Sequence, residues 1–160
     1  MSHRAICNLV VFVLLWSLNG LCLGASSAPW PTLHRDNQRS GYTSEVVTGP
    51  HERKWYRDFH GEMIASRVEA ILTEQHCVVG TFAGTLHALD VTDGRTAWRF
   101  AAEGPIGHSP CYDHGRLYVG TDRGYLYCIQ ASDGRLLWRF SAGAGIWVSP
   151  ACDGKTVYFG

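Results

Sequence analysis

From residue 77 onward the chain runs in short apolar and aromatic stretches broken at regular intervals by turn residues. Leu117-Tyr118-Val119 and Tyr125-Leu126-Tyr127-Cys128-Ile129 are β-branched and aromatic runs of strand length. Gly120, Gly124, Asp133-Gly134 and Asp153-Gly154 punctuate them. No window shows an unbroken helical stripe of about a dozen residues. The pattern predicts strands joined by tight turns.

The same pattern is written twice. Val79-Gly80-Thr81, Gly84, Leu86, Asp93-Gly94-Arg95, Trp98-Arg99-Phe100, Ala102, Ile106, Ser109-Pro110 and Asp113 return 40 residues later. The second set is Val119-Gly120-Thr121, Gly124, Leu126, Asp133-Gly134-Arg135, Trp138-Arg139-Phe140, Ala142, Ile146, Ser149-Pro150 and Asp153. Tyr158 and Gly160 begin a third copy, repeating Tyr118 and Gly120. A period near 40 suits either helical pairs or four-stranded propeller blades, and the strand-like runs select blades. Four strands of about five residues with their turns fill roughly 40 residues. The predicted fold is all-β, a partial β-propeller of four-stranded antiparallel blades, with about two and a half blades present. Blade 1 is expected over 64–100, blade 2 over 106–140 and an incomplete blade 3 over 146–160. The innermost strand of blade 1 is expected at 64–71, and Ser109-Pro110 and Ser149-Pro150 are expected on the innermost strands of the other two.

Recurrence separates packing from chemistry, because a catalytic group is needed once and a packing group once per blade. Trp98 and Trp138 are expected between adjacent blades. Asp93-Gly94 and Asp133-Gly134 fit tight turns between third and fourth strands, and Gly80, Gly84, Gly120 and Gly124 are structural positions of the repeat. Trp55, within Lys54-Trp55-Tyr56-Arg57-Asp58-Phe59, resembles the Trp98-Arg99-Phe100 strand without the strands that should precede it. Residues 53–60 are therefore expected to be a latch strand that completes the last blade of a ring.

Val-Gly-Thr, two residues, Gly, one residue, Leu, six residues, Asp-Gly, three residues, Trp is a pattern that resembles the repeat of the pyrroloquinoline-quinone-type (PQQ-like) propellers. Trp98-Arg99 and Trp138-Arg139 stand where a Trp-Asp propeller would carry its signature dipeptide. Trp30-Pro31 to Gly41-Tyr42 looks like the opening that precedes many such propellers in bacterial extracytoplasmic proteins. Trp30 and Tyr42 are expected to anchor the 25–52 lead-in to the propeller surface.

The start of the chain reads as a secretory signal over 1–24. Met1-Ser2-His3-Arg4 is basic, Ala5 to Leu18 is apolar, and Gly24, Ala25, Ser26 and Ser27 are small. A secreted or periplasmic location follows, with no stable membrane span after cleavage. Lys and Arg balance Asp and Glu at zero net charge, so no nucleic-acid partner is indicated. Cys77, Cys111, Cys128 and Cys152 remain after cleavage, and an oxidising compartment allows them two disulfides in three connectivities, or none if they are buried small hydrophobes. Propellers close with about four to eight blades. A chain of this length is expected either to be a truncated product or to close a ring by self-association.

Chemistry is expected where the repeat breaks. His108 and Trp147 are the non-repeating residues near the central channel, the first able to donate a hydrogen bond or bind metal, the second able to stack on a flat ligand. His60, His76, His87 and His114 show no metal spacing. Two function classes stand. One is a non-enzymatic binding or assembly scaffold, similar to the propeller lipoprotein of the outer-membrane barrel-assembly machinery, with a protein or small molecule on the propeller face and no cofactor. The other is a fragment of a PQQ- and calcium-dependent quinoprotein dehydrogenase, which would need Asn, Glu and Asp oxygens for calcium and a carboxylate base.

Overall fold

The computed structural model describes residues 30–160 except 37, 45 and 47, so the predicted signal at 1–24 lies outside the described residues. Two four-stranded antiparallel meanders dominate. The first is β1 (Ile71–Leu72), β2 (His76–Gly80), β3 (Thr85–Asp90) and β4 (Thr96–Ala101). The second is β5 (Cys111–Asp113), β6 (Arg116–Gly120), β7 (Tyr125–Gln130) and β8 (Leu136–Ser141). A hairpin follows, β9 (Ala151–Cys152) with β10 (Val157–Tyr158). No helix occurs among the described residues. This is the partial propeller that the repeat predicts.

The period of 40 survives in the register. Ile71 pairs with Val78 as Cys111 pairs with Tyr118, and the third ladder of each blade shifts register at the same place, after Ala88 and after Cys128. Side chains alternate between the two faces of a strand. Leu117, Val119, Tyr127 and Ile129 of blade 2 therefore join Val78, Leu86, Ala88 and Trp98 of blade 1 in one buried cluster. Tyr118 and Cys128, which lie between them in sequence, join Cys111 and Cys152 in a second cluster facing β9. Ile146 approaches Gly120 so closely that a Cβ there would lie 2.5 Å from its Cγ2 atom, and Ile106 sits likewise against Gly80.

The innermost strands are shorter than expected. Residues 64–70 and 106–110 are not strand, and ladder pairing starts only at Ile71 and Cys111. Pro110 has no N–H for a ladder. Glu69 spends its N–H sideways, on Ser109 Oγ of the next blade at 2.7 Å. Near the axis the blades bond to one another instead of extending their own sheets.

The lead-in crosses these inner edges. Trp30 exchanges both backbone hydrogen bonds with Leu72, at 3.0 and 2.8 Å, Pro31 O accepts from Tyr112 N at 2.7 Å, and Arg39 Nη2 donates to Ser149 O at 3.1 Å. It therefore touches all three repeats. Tyr42 does not act as the expected anchor: its side chain is exposed, and its carbonyl merely accepts from Arg35. Backbone pairing and Arg39 hold this segment in its place.

Residues 53–60 have no ladder partner among the described residues. Their side chains still pack on blade 1. Trp55 Nε1 donates to Val91 O at 3.1 Å, and its ring covers Gly94. Trp98 does the same on blade 2, donating to Ala131 O at 3.0 Å and covering Gly134. Phe59 meets His87 edge-on at 5.0 Å, as Phe100 meets Tyr127 at 5.2 Å.

Among the described residues one disulfide forms, Cys111 to Cys152, joining the inner strands β5 and β9 across the second and third repeats. Cys77 and Cys128 are free thiols. Burial raises the pKa of both above the usual thiol value, which lowers their thiolate fraction.

Candidate functional site

A cavity of about 510 Å³ opens where the lead-in crosses the inner residues of the repeats. The register places Arg67, Gly107 and Trp147 at one repeat position, 40 residues apart. Arg67 and Trp147 both line the cavity, and Gly107 between them contributes no side chain. His108 stands where Val68 and Val148 stand in the neighbouring repeats. It too lines the cavity.

His108 Nδ1 is buried and has no hydrogen-bond partner among the described residues. Burial pulls the imidazole pKa down, the positive charge of Arg67 pulls it further, and Asp122 opposes them. The ring is therefore neutral at pH 7, with one donor and one acceptor nitrogen. Asp122 lies against Gly107, and a second, smaller cavity is shared by Arg67, His108, Asp122 and Trp147. Ser149 is 4% exposed, and its hydroxyl has no partner. The equivalent hydroxyl of Ser109 accepts from Glu69 N and donates to Arg67 O. The structural use of this serine is thus filled in one repeat and open in the next. On the lead-in side the His34 backbone N–H donates to Glu69 Oε2 at 3.2 Å, and His34 Nδ1 lies 3.5 Å from Glu69 Oε1. Leu33 and Val148 give the cavity apolar wall.

The two sequence candidates, His108 and Trp147, thus fall in one place. Arg67, Arg39 and Ser149 were not singled out from the sequence. Arg67 precedes the first clear repeat, Arg39 sits in an irregular segment, and Ser149 looks like a packing residue. The break at position 108 was the available signal. Trp55, Gly80, Gly84, Asp93, Gly94, Trp98, Gly120, Gly124, Asp133, Gly134 and Trp138 do not line this cavity.

A second cluster lies at the outer entry of blade 1. The Glu62 carboxylate accepts from Thr81 Oγ1 at 3.0 Å and contacts His87 Nε2 at 2.8 Å, and His87 is almost wholly buried. The hydrogen bond from His87 chiefly holds the Glu62 pKa below its usual value. Residue 87 is Tyr127 in the next blade, and the hydroxyl of Tyr127 accepts from Glu103 N at 2.9 Å. Both arrangements tie the outer segment of one blade to the third strand of the next.

The described residues that line this cavity do not fit a calcium–quinone pair. Calcium takes about six to eight oxygen ligands, usually several carboxylates. Among the described residues no three His, Cys, Asp or Glu side chains converge. Glu69 is engaged by His34, and Asp122 shares its surroundings with His108 and Arg67.

Solved structures share the fold. Quinohemoprotein alcohol dehydrogenase of Comamonas testosteroni superposes with a TM-score of 0.67 over 83% of this chain and 23% of that one, at 15% identity. Quinohemoprotein alcohol dehydrogenase ADHIIG of Pseudomonas putida HK5 gives 0.65 over 81% and 22%, at 18% identity. BamB of Moraxella catarrhalis is 21% identical over 61% of this chain and 29% of that one, with a TM-score of 0.47. The chain spans less than a third of each of these proteins. None of the curated proteins matches it. The family described as outer membrane protein assembly factor BamB matches residues 45–160, and with its repeats, blades and inter-blade tryptophans on that stretch, the chain belongs to this family.

Proposed function

We propose that the chain is a non-enzymatic extracytoplasmic scaffold that binds a protein partner through the outer face of β8. The observation that carries this is the contrast between two equivalent tryptophans. Trp98 is 9% exposed because blade 2 covers it, whereas Trp138 is 41% exposed. Leu136 and Phe140 flank Trp138 on β8, and Phe159 packs on Phe140 at 5.9 Å. A row of exposed large apolar side chains on one sheet supports the reading of an interaction surface. Its repeat geometry suits a sheet that brings a tight Asx-Gly turn to Trp138, as Gly134 meets Trp98. Membership of a family described as an assembly factor supports the same reading.

The segment around Trp55 supplies the complementary end. It offers blade 1 what the outer strand of a preceding blade would offer. In this reading residues 53–60 belong to the final blade of a ring, and the ring is completed by further repeats or by another copy. Export through the 1–24 signal places it in the periplasm or outside the cell. No helix among the described residues is long and apolar enough to cross a membrane.

The test is capture by the exported protein and by its Trp138→Lys variant, with cross-linking and mass spectrometry of the partner. Cross-links centred on β8 that vanish in the variant are the expected result. Cross-links unchanged by the variant would overturn the β8 assignment.

A further inference from the structure

We propose that the cavity between Arg67, His108, Trp147 and Ser149 binds a small organic monocarboxylate with an apolar body. This site is separate from the β8 face and does not depend on the scaffold reading. Three observations on different residues meet there. The first is space: about 510 Å³ is within the range of small-molecule sites. Gly107, at the repeat position of Arg67 and Trp147, adds no side chain to this cavity, and Asp122 lies against it.

The second is unmet hydrogen bonding. Buried polar side chains are nearly always paired, and an unpaired one costs about 1–3 kcal/mol. His108 Nδ1 and Ser149 Oγ are both buried and unpaired, and both residues line the cavity. Neither is explained by packing. The neighbouring repeats put Val at the histidine position, and Ser109 shows the serine hydroxyl fully used.

The third is charge. Arg67 makes no ion pair among the described residues, while Glu69 accepts a hydrogen bond from the backbone N–H of His34. A guanidinium offers two parallel N–H donors to a carboxylate. The hydroxyl of Ser149 and the Nδ1–H tautomer of His108 would complete the donor set. Leu33, Val148 and Trp147 would face the ligand's carbon skeleton, which a free inorganic oxyanion lacks. Asp122 shares the smaller adjoining cavity with Arg67, His108 and Trp147, and its carboxylate restrains binding of a second negative charge, which favours a monocarboxylate.

The experiment titrates the purified protein with benzoate, its neutral isostere benzamide, and inorganic phosphate, by calorimetry at pH 7. Arg67→Met and His108→Val are titrated alongside; the second restores the residue that the other repeats carry, so the blade should fold unchanged by circular dichroism. The expected result is saturable benzoate binding, at least tenfold weaker with benzamide or phosphate, and at least tenfold weaker in both variants. Absence of saturable benzoate heat in a folded sample would overturn the proposal. So would benzoate binding that both folded variants retain, or phosphate binding as tight as benzoate.

Discussion

The indole of Trp98 lies against Gly134 of the next blade, and a Cβ on that glycine would come within 2.5 Å of ring atom Cε3. Gly134 also has φ +75°, a region that disfavours side chains. Two requirements thus meet in one residue: the turn needs positive φ, and the neighbouring ring needs the space. Asp133 Oδ1 accepts from Arg135 N at 3.0 Å and fixes the turn that presents the glycine.

Gly134→Ala should therefore destabilise the fold by at least about 1–3 kcal/mol from backbone strain alone. Trp98→Ala should cost about 3–5 kcal/mol, as for other large buried aromatics. Urea unfolding followed by fluorescence measures both. Because the two residues are in contact, the double variant should cost less than the sum of the single ones.

Trp138→Ala should cost only about 1 kcal/mol in the isolated chain, since the ring is 41% exposed and rests mainly on Tyr118. A loss as large as that of Trp98→Ala would show that the face of β8 is already covered in the free protein.

Glu62 sets an acid limit on the docking of residues 55–63. Its pKa is lowered in the folded state by the hydrogen bond from His87. The stabilisation is fully present above the ordinary carboxylate value of 4.5 and is lost as the pH falls through the lower folded value. Glu62→Gln should flatten the dependence of the urea midpoint on pH between about 5 and 3. Trp55 fluorescence should report the same loosening first, because Trp55 and Glu62 hold the same segment.

The Cys111–Cys152 bond should be found by peptide mapping of the oxidised protein, with Cys77 and Cys128 alkylated only after unfolding. Its removal in a Cys111→Ala, Cys152→Ala pair should lower stability by roughly 2–4 kcal/mol, by enlarging the unfolded ensemble. Loss should be greatest in β9 and β10, which amide exchange would show.

The repeat made the blades legible because Trp98, Gly94 and their partners at 138 and 134 must recur wherever a blade meets the next. The inner strands were less legible: hydrophobic alternation does not say that Glu69 will bond sideways to Ser109. The disulfide was hidden by the period itself. Cys111 aligns with Ala151 and not with Cys152, so the pair lies one residue off the repeat. The lead-in has no periodicity, and its path over Leu72, Tyr112 and Ser149 comes from backbone pairing that any side chain permits. Within the candidate site His108 and Trp147 stood out as departures from the repeat. Arg67 did not, because Glu69-Ala70 replaces Ser-Pro in its copy and blurs the alignment.

The central claim is that Trp138 and its strand are built to be covered by another blade-like sheet. The most direct test is the solution molar mass of the exported protein beside that of Trp138→Lys, with circular dichroism on both. A folded, β-rich assembly of two or more chains that the variant converts to single chains is the predicted result. A folded single chain over the full concentration range, the same for both proteins, would contradict closure by copies of this chain and leave the face of β8 to a different partner.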